Sequence, residues 1–519
     1  MPPHRSPQPS IPAMTGSNKT PMTDFNLIIH PWIPVRWLDG HHSLVGLDEL
    51  FRNAAVIADL DAVPHERISL IRLLVCITQA ALGAPADLYG WEDFGGDLEE
   101  AVPSYLARPE IFPHFNLFGD GPRFLQPSKL EDCEPEFVSW IFFHLATGNN
   151  ATQFDHDGGT ERDIPPAEIA RAMVAWQNFA PPMGQHTGDG VCSKSNAIHC
   201  ILTAETLRGT ILLNCLDQKT VEISWPSGFG RPVWEVVQSN DPLEDTVTTY
   251  LGRLLPLHRR VWLIDSIRLL KDRKGIKFPT FKDSQIREPS VALRTAKDGL
   301  SLKGNWGDRS IWRDLEALGM DRQHAAEGQI QLCPLVVQSH VWEMDGFPSL
   351  PVWVGALIFE NTASLVGTIE STFELPKAFF SEIGLSVYSK GVEWAETWSF
   401  SVKQATEEYE RGLRGKNSKG PKNGFPAQLE AKQQFWNALE QQRQALLDLV
   451  ANPTVLGIKN FGEADDPWSL AVRKAAHAAY DYACPRSTPR QIEAYALGLR
   501  RLRPKSTKPN TPKTTPAKP

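Results

Sequence analysis

The pattern of the sequence changes at Pro376. Beyond it, four segments carry apolar residues at helical spacing, and short or polar stretches join them. Helices connected in this way pack in antiparallel order, so the pattern predicts a four-helix bundle over residues 376–503. The four segments are residues 377–413, 427–450, 467–483 and 489–502.

Residues 23–375 alternate helical and strand-like patterns instead. A strongly apolar helix is predicted over 66–82, and strands are predicted over 25–37, 210–216, 261–264 and 334–342. We therefore expect an α+β fold, with a large mixed N-terminal domain followed by an all-α C-terminal four-helix bundle. A chain of 519 residues exceeds what one hydrophobic core usually organises, which agrees with at least two domains.

Both ends of the chain have compositions typical of disorder. Residues 1–22 are rich in Pro and Ser and lack the apolar stretch of a secretory signal, so they are predicted to be a disordered leader. Residues 504–519 are predicted to be a disordered basic tail. No uninterrupted apolar run reaches the roughly 18 residues that a membrane span needs, so no membrane role is expected.

The cysteines favour a reducing compartment. Seven are scattered along the chain and none forms a CxxC pair, so we expect a cytoplasmic protein without a structural zinc site. In particular, no cysteine occurs between Ser266 and Lys277. We also expect no cofactor.

Positive charge is concentrated locally, although the net charge is −8. Lysines and arginines outnumber acids nine to four over residues 271–303, six to one over 411–432, and nine to one from Arg486 onward. Contacts with nucleic acid would have to come from such patches. The alternative is that each run is a solvated face or tail.

Catalytic motifs are scarce in this sequence. It contains no GxxxxGK[ST] phosphate loop, no GxSxG elbow and no HExxH pair. His156 and Asp157 resemble the start of a metal-dependent phosphohydrolase site, which gives an alternative function acting on nucleic acid. That chemistry needs further His and Asp ligands, which cannot be placed, and a Gly-flanked acidic loop also explains the segment.

Two other clusters of His residues invite a functional interpretation. His186 and His199 flank Cys192 and Cys200, but their spacing matches no closed tetrahedral metal site. His258 lies among Arg253, Arg259 and Arg260. These residues form either a phosphate-facing surface or a charge cluster at the end of a helix.

Several stretches resemble, in the same order, the CasA-type large subunit of the type I-E CRISPR Cascade surveillance complex. The resemblance spans roughly residues 26–503. It is carried by NLIIHPWIPVR, RLLVCITQAAL, FNLFGDGPRFLQ, LRGTILLNCL, RPVWE followed by LGRLLPLHRRVWL, GALIFENTASL, and LRGKNSKGPKNG followed by AKQQFW.

The resemblance implies a non-catalytic subunit in antiviral defence. Such a subunit docks at the 5′-handle of the CRISPR guide RNA and recognises the protospacer-adjacent motif in double-stranded DNA. It starts unwinding, and thus R-loop formation, and presents a surface to the recruited helicase-nuclease. Its other partners are the backbone, small and handle-binding subunits of Cascade. Pairing with the guide reads the target, while protein reads only the adjacent motif.

The resemblance also implies a set of DNA-reading residues. Asn361, Thr362 and Ala363 occupy the place of the minor-groove reader and wedge, where the family often has Gln in the middle. The alternative is that Asn361 or Thr362 caps a helix. Lys277, or Lys274 if the alignment shifts slightly, corresponds to the major-groove lysine.

Two further elements follow from the same resemblance. Residues 181–190 correspond to the glycine-rich minor-groove loop, in which Gly184, Gln185, His186 and Gly188 are the candidate contacts. Phe154 corresponds to the aromatic residue that packs against the guide-RNA handle. The alternative is that Phe154 anchors its own loop.

Overall fold

Short sheets and helices alternate in the first three quarters of the chain, and the described residues after them form helices alone. The computed structural model describes residues 25–86, 88–126, 130, 133–142, 161–179, 197–239, 248–257, 259–271, 287–296, 299–302, 310–318, 330–331, 333–338, 349–360, 364–414, 426–452 and 466–503.

The strands are short, with two exceptions. They are β1 (Ile33–Trp37), β2 (His42–Val45), β3 (Ile57–Leu60), β4 (Pro135–Phe137), β5 (His199–Leu202), β6 (Val261–Leu263), β7 (Arg268–Lys271), β8 (Leu293–Ala296), β9 (Gly299–Leu302), β10 (Ile330–Gln331), β11 (Ser349–Glu360) and β12 (Ser364–Pro376). Within the described residues they form four three-stranded antiparallel sheets, in the orders β2-β1-β3, β4-β7-β6, β10-β8-β9 and β12-β11-β5. The strands predicted over 25–37 and 261–264 are confirmed in β1 and β6.

The helices range from one turn to nine. They are α1 (Leu47–Arg52), α2 (Pro64–Leu82), α3 (Leu88–Asp93), α4 (Leu98–Leu106), α5 (Pro166–Phe179), α6 (Leu207–Leu213), α7 (Gln218–Ser224), α8 (Val233–Ser239), α9 (Tyr250–Leu254), α10 (Pro334–Val337), α11 (Glu382–Arg414), α12 (Pro426–Glu440), α13 (Arg443–Ala451), α14 (Pro467–Ala483) and α15 (Pro489–Leu499). None of the described helices is both long and apolar enough to cross a membrane.

Helix α2 is the centre of the N-terminal part. It begins at Pro64, where a proline at the first helical position loses no hydrogen bond, and it is buried from Pro64 to Gln79 almost without interruption. A helix buried on all sides must be covered by other elements on all sides. It contacts helices α4, α5, α6 and α9 and the strands β11 and β12. The helix predicted over 66–82 is thus confirmed.

Two predicted strands are wrong. Residues 207–213 form helix α6, because the Thr206 side chain accepts a hydrogen bond from the Gly209 amide and caps the helix. Leu207, Thr210 and Ile211 then share one buried face at helical spacing. Residues 334–337 form a helical turn that begins at Pro334. In both segments a short apolar run fits either the helical or the strand spacing, and the Thr206 cap favours the helix in the first while Pro334 at the first helical position favours it in the second.

The C-terminal helices follow the predicted segments closely, with one difference. The helix predicted over 427–450 is two helices, α12 and α13, although Gln441 and Gln442 are good helix formers. The break lets Arg443 reach the hairpin strand β12, where its guanidinium lies 3.5 Å from the Thr372 carbonyl oxygen and 5.1 Å from the Phe373 ring centroid.

The direction of the long C-terminal helices follows from close contacts. Gly498 of α15 packs against the Ala405 carbonyl of α11, and the Ser401 hydroxyl of α11 donates to the Arg503 carbonyl at 3.2 Å. Sequence numbers therefore fall along α11 as they rise along α15, so these helices are antiparallel. Helix α11 also packs on α12, α13 and α14.

Candidate nucleic-acid interface

Strands β11 and β12 form a long hairpin. They pair from Ser349 with Pro376 to Glu360 with Ser364, with one irregularity near Phe359. The predicted wedge, Asn361, Thr362 and Ala363, connects the two strands and lies outside the described residues. A strand begins at Ser364, so the alternative that Asn361 or Thr362 caps a helix is wrong. The segment joins two strands of one hairpin rather than a strand and a helix.

The hairpin is fixed to helix α2 through Trp353. The Trp353 indole N–H donates to Glu370 on the partner strand at 2.9 Å, and the Arg67 guanidinium of α2 lies 5.2 Å from the indole centroid. Arg67 is itself held by Asp59 at 2.9 Å. This chain of contacts sets the orientation of the hairpin relative to the core.

Strand β5 pairs with the outer edge of the hairpin. His199 lies opposite Gly355 and Leu202 opposite Val352, so the amino end of β5 points toward the end of the sheet where β11 meets β12. The candidate loop with Gly184, Gln185, His186 and Gly188 precedes β5 in the chain. These four residues lie outside the described part.

The segment that follows the candidate lysines lies beside β5. The Cys200 amide donates to the Ser290 carbonyl at 2.8 Å, and His199 forms an isolated bridge with Val291. Lys274 and Lys277 lie outside the described residues, between Lys271 at the end of β7 and Arg287. The ammonium group of Lys271 sits 3.7 Å from the Trp140 ring centroid and is nearly buried.

A buried ionic cluster anchors the same segment. Glu288 is fully buried and accepts hydrogen bonds from Arg72 of α2 at 2.9 Å and from Arg253 of α9 at 2.8 Å. Arg253 and Arg259 are both 1% exposed, which contradicts the interpretation of these arginines as a phosphate-facing surface. Their neighbour His258 lies outside the described residues. Glu288 was not predicted from the sequence, in which its one distinguishing feature is that it is an acidic residue within the basic stretch 271–303.

The described half of the His/Cys cluster is buried inside the protein. His199 and Cys200 are consecutive residues of β5, so their side chains point to opposite faces of the sheet. Burial, assisted by the positive charge of Arg72, lowers the pKa of His199 to about 3, and its Nδ1 lies 3.0 Å from the Ser290 hydroxyl. Among the described residues no three His, Cys, Asp or Glu side chains group as metal ligands. His156, Asp157, His186 and Cys192 lie outside them.

A cleft opens on the other side of the hairpin. It is an open cleft of about 650 Å³ between strand β12, the amino end of α2 and the segment that leads into α5. Leu365, Gly367 and Thr368 form the hairpin wall. Phe142 and Arg162 form part of the opposite wall, and they flank the segment that contains Phe154. Phe154 itself lies outside the described residues.

The interior of this cleft holds paired charges. Glu66 of α2 and Arg171 of α5 form an ion pair at 3.2 Å, and Arg171 also donates to the Trp32 carbonyl at 2.9 Å. Burial raises the pKa of Glu66, while the charge of Arg171 acts in the opposite direction. Asp163 accepts a hydrogen bond from the Ser266 hydroxyl at 2.6 Å. The cleft thus offers both donors and acceptors beside apolar walls.

Comparison with known proteins gives a consistent result. The family model described as CRISPR-associated protein Cse1 matches residues 26–479. The CRISPR-associated protein CasA/Cse1 of Thermus thermophilus is 28% identical over 446 residues, which cover 81% of this chain and 84% of that protein.

Solved structures show the same fold. Thermus thermophilus CasA (Cse1) superposes with a TM-score of 0.70 at 21% identity, covering 93% of this chain and 98% of that one. A chain of a CRISPR RNA-guided surveillance complex superposes with a TM-score of 0.69 at 17% identity, covering 92% and 99%.

Proposed function

Because the chain belongs to the CRISPR-associated Cse1 (CasA) family, the large subunit of type I-E Cascade, we propose that it recognises the protospacer-adjacent motif of double-stranded DNA and starts target unwinding. Membership of a CRISPR surveillance complex is the part of this function that the family itself establishes. Motif reading, strand opening and recruitment of a helicase-nuclease are the parts we propose.

One observation supports the proposal: described residues that adjoin or follow each of the four candidate segments in the chain lie in or beside a single sheet. The wedge residues 361–363 connect β11 to β12, and loop 181–190 leads toward β5 at the sheet's outer edge. The segment after the lysines runs beside β5, and the segment around Phe154 begins and ends at the cleft beside β12. Elements that act on one DNA duplex and one guide must lie close together, and this arrangement supports that.

The C-terminal helices supply the proposed second surface. We propose that α11 to α15 form the four-helix bundle of residues 376–503, with the short α13 as an addition at its base. Residues 23–375 would then form the motif-reading domain. The C-terminal helices contact the hairpin where the Arg443 guanidinium lies 5.1 Å from the Phe373 ring centroid.

The wedge is tested by replacing Asn361, Thr362 and Ala363 with glycine in the assembled complex. Unstacking a base step costs a few kcal/mol, which an inserted segment must offset, so opening of a fully matched duplex should slow. Assembly with guide RNA should be unchanged, as measured by co-purification. Opening is followed by the permanganate reactivity of unpaired thymines.

A target already mismatched beside the motif is the control. Its opening needs less free energy, so the glycine variant should recover much of the lost rate on it. If the variant opens fully matched targets at the wild-type rate, the wedge lies elsewhere, and residues 181–190 become the next segment to test.

We further propose that the subunit is not an enzyme, since Cse1 is a family of targeting subunits. The purified protein with Mg²⁺, Mn²⁺ or Zn²⁺ should leave DNA and RNA intact. Metal-dependent cleavage that disappears in a His156→Ala, Asp157→Ala variant would instead establish the phosphohydrolase alternative.

A further inference from the structure

The cleft beside the hairpin has the size and position of a ligand site. Its volume of about 650 Å³ falls within the roughly 300–1,000 Å³ typical of small-molecule sites. Leu365 is the second residue of β12, so the hairpin wall of the cleft begins one residue after Ser364, the first described residue that follows 361–363 in the chain. It is therefore adjacent to the place where strand opening is proposed to start.

The charges of the cleft select the kind of ligand. Its described lining holds three carboxylates, Glu66, Asp163 and Glu168, beside two arginines, Arg162 and Arg171, and His65. A phosphate group would therefore meet carboxylates on the described walls. A neutral planar ring with its own donors and acceptors suits the interior better, because carboxylates accept from ring amino and imino groups and guanidinium groups donate to ring carbonyls.

The apolar part of the lining agrees with a planar ring. Phe142, Val63 and Leu365 contribute apolar surface around the charged pair of Glu66 and Arg171. Proteins that hold an extruded base use this combination, in which apolar or aromatic side chains cover the ring faces and polar groups meet the ring edge.

When the duplex opens, the first base of the displaced strand is left without a pairing partner. The strand complementary to the guide transfers its bases to the guide RNA, whereas the displaced strand loses its partners. On the basis of the function proposed above, we propose that the cleft formed by β12, the amino end of α2 and the segment before α5 binds the first unpaired nucleobase of the displaced DNA strand. Holding this base outside the duplex opposes re-pairing beside the motif.

Gly367 offers a way to fill the cleft without disturbing the fold. It lines the hairpin wall, and a Cβ placed on it would meet no atom within 4 Å. Gly367→Phe therefore places a ring into open space on a strand that tolerates aromatic residues well. Gly121→Phe is the matched control, because Gly121 is exposed, lies outside the cleft and also has no atom within 4 Å of a Cβ.

The experiment uses the assembled complex and a duplex with thymine at the first displaced position, probed with permanganate. In wild type and in Gly121→Phe, the first thymine should be several-fold less reactive than the following displaced thymines. In Gly367→Phe that protection should disappear while the rest of the bubble stays reactive. A second target carries a mismatch at the first base pair, so this thymine stays unpaired. Low reactivity of the thymine in this target therefore cannot come from base pairing.

Other results would overturn the proposal in distinguishable ways. Equal reactivity of the first thymine in wild type and Gly367→Phe, with the bubble open, would remove the cleft site but leave the opening function intact. Protection of the first base on the guide-complementary strand would also refute the assignment to the displaced strand. A wild-type complex without any reactive thymine would refute both the opening function and the site.

Discussion

The Trp353 ring covers the backbone of Gly355, two residues along the same strand: a Cβ on Gly355 would come within 2.1 Å of the Trp353 ring. Because the Trp353 indole also bonds Glu370 and meets Arg67, it has little freedom to move away. Gly355 is thus needed for the hairpin to keep its orientation on helix α2.

Replacing Gly355 by valine should therefore displace the indole and destabilise the protein. Overpacking of this kind costs about 1–3 kcal/mol, measured as the change in free energy of unfolding in urea. Gly367→Val on the partner strand is the control, since a Cβ there meets nothing within 4 Å, and its stability should be close to wild type. Equal stability of the two variants would show that Trp353 repacks freely.

Glu288 should be far more important for stability than a surface carboxylate. Glu288→Gln removes the buried negative charge that Arg72 and Arg253 contact at 2.9 and 2.7 Å, which should lower the free energy of unfolding by about 3–5 kcal/mol. Asp48→Asn removes an exposed ion pair with Arg52 and should change it by less than about 1 kcal/mol. A loss in Glu288→Gln no larger than in Asp48→Asn would contradict the buried cluster.

His199 should make the protein less stable in mild acid. Its folded pKa is lowered to about 3, so the unfolded chain takes up a proton below its ordinary pKa of about 6.5 while the folded chain does not. The contribution of His199 to the free energy of unfolding is fully present above pH 6.5 and is lost as the pH falls toward 3. At pH 5.5 the loss relative to neutral pH should be about 1.4 kcal/mol.

Urea unfolding at pH 7.5 and pH 5.5 measures this effect. The His199→Gln variant does not titrate in this range and should lose less stability than wild type between the two pH values, whatever its absolute stability. An identical pH dependence in both proteins would mean that the pKa of His199 is the same in the folded and unfolded states, which would contradict the lowered value.

Lys274 and Lys277 should contribute to the salt dependence of duplex binding. Each phosphate contact adds about 0.9 to the slope of log K against log salt, so replacing both lysines by glutamine should flatten the slope by up to about 1.8. Replacing the exposed Lys377 and Lys403 of the C-terminal part should leave the slope unchanged. A lysine that reads a base edge would alter motif preference with little effect on the slope.

The sequence alone determined the periodic elements. Helix α2 and the segments that became α11, α14 and α15 could be predicted because helical spacing and proline positions are local properties. The order of family-like stretches also predicted the family. The same local rules failed at residues 207–213 and 334–337, where short apolar runs fit either period.

Only the tertiary structure decided which distant segments meet. Pairing of β5 with β11 and the buried contacts of Glu288 with Arg72 and Arg253 join residues far apart in the chain, and no local pattern encodes such partners. The arginines near residue 258 look like a surface in sequence because charge is usually solvated, yet a buried acid holds Arg253 inside. The cleft is lined by residues of α2, α5 and β12. It forms only when these elements, which are distant in the chain, pack together, so no single segment could predict it.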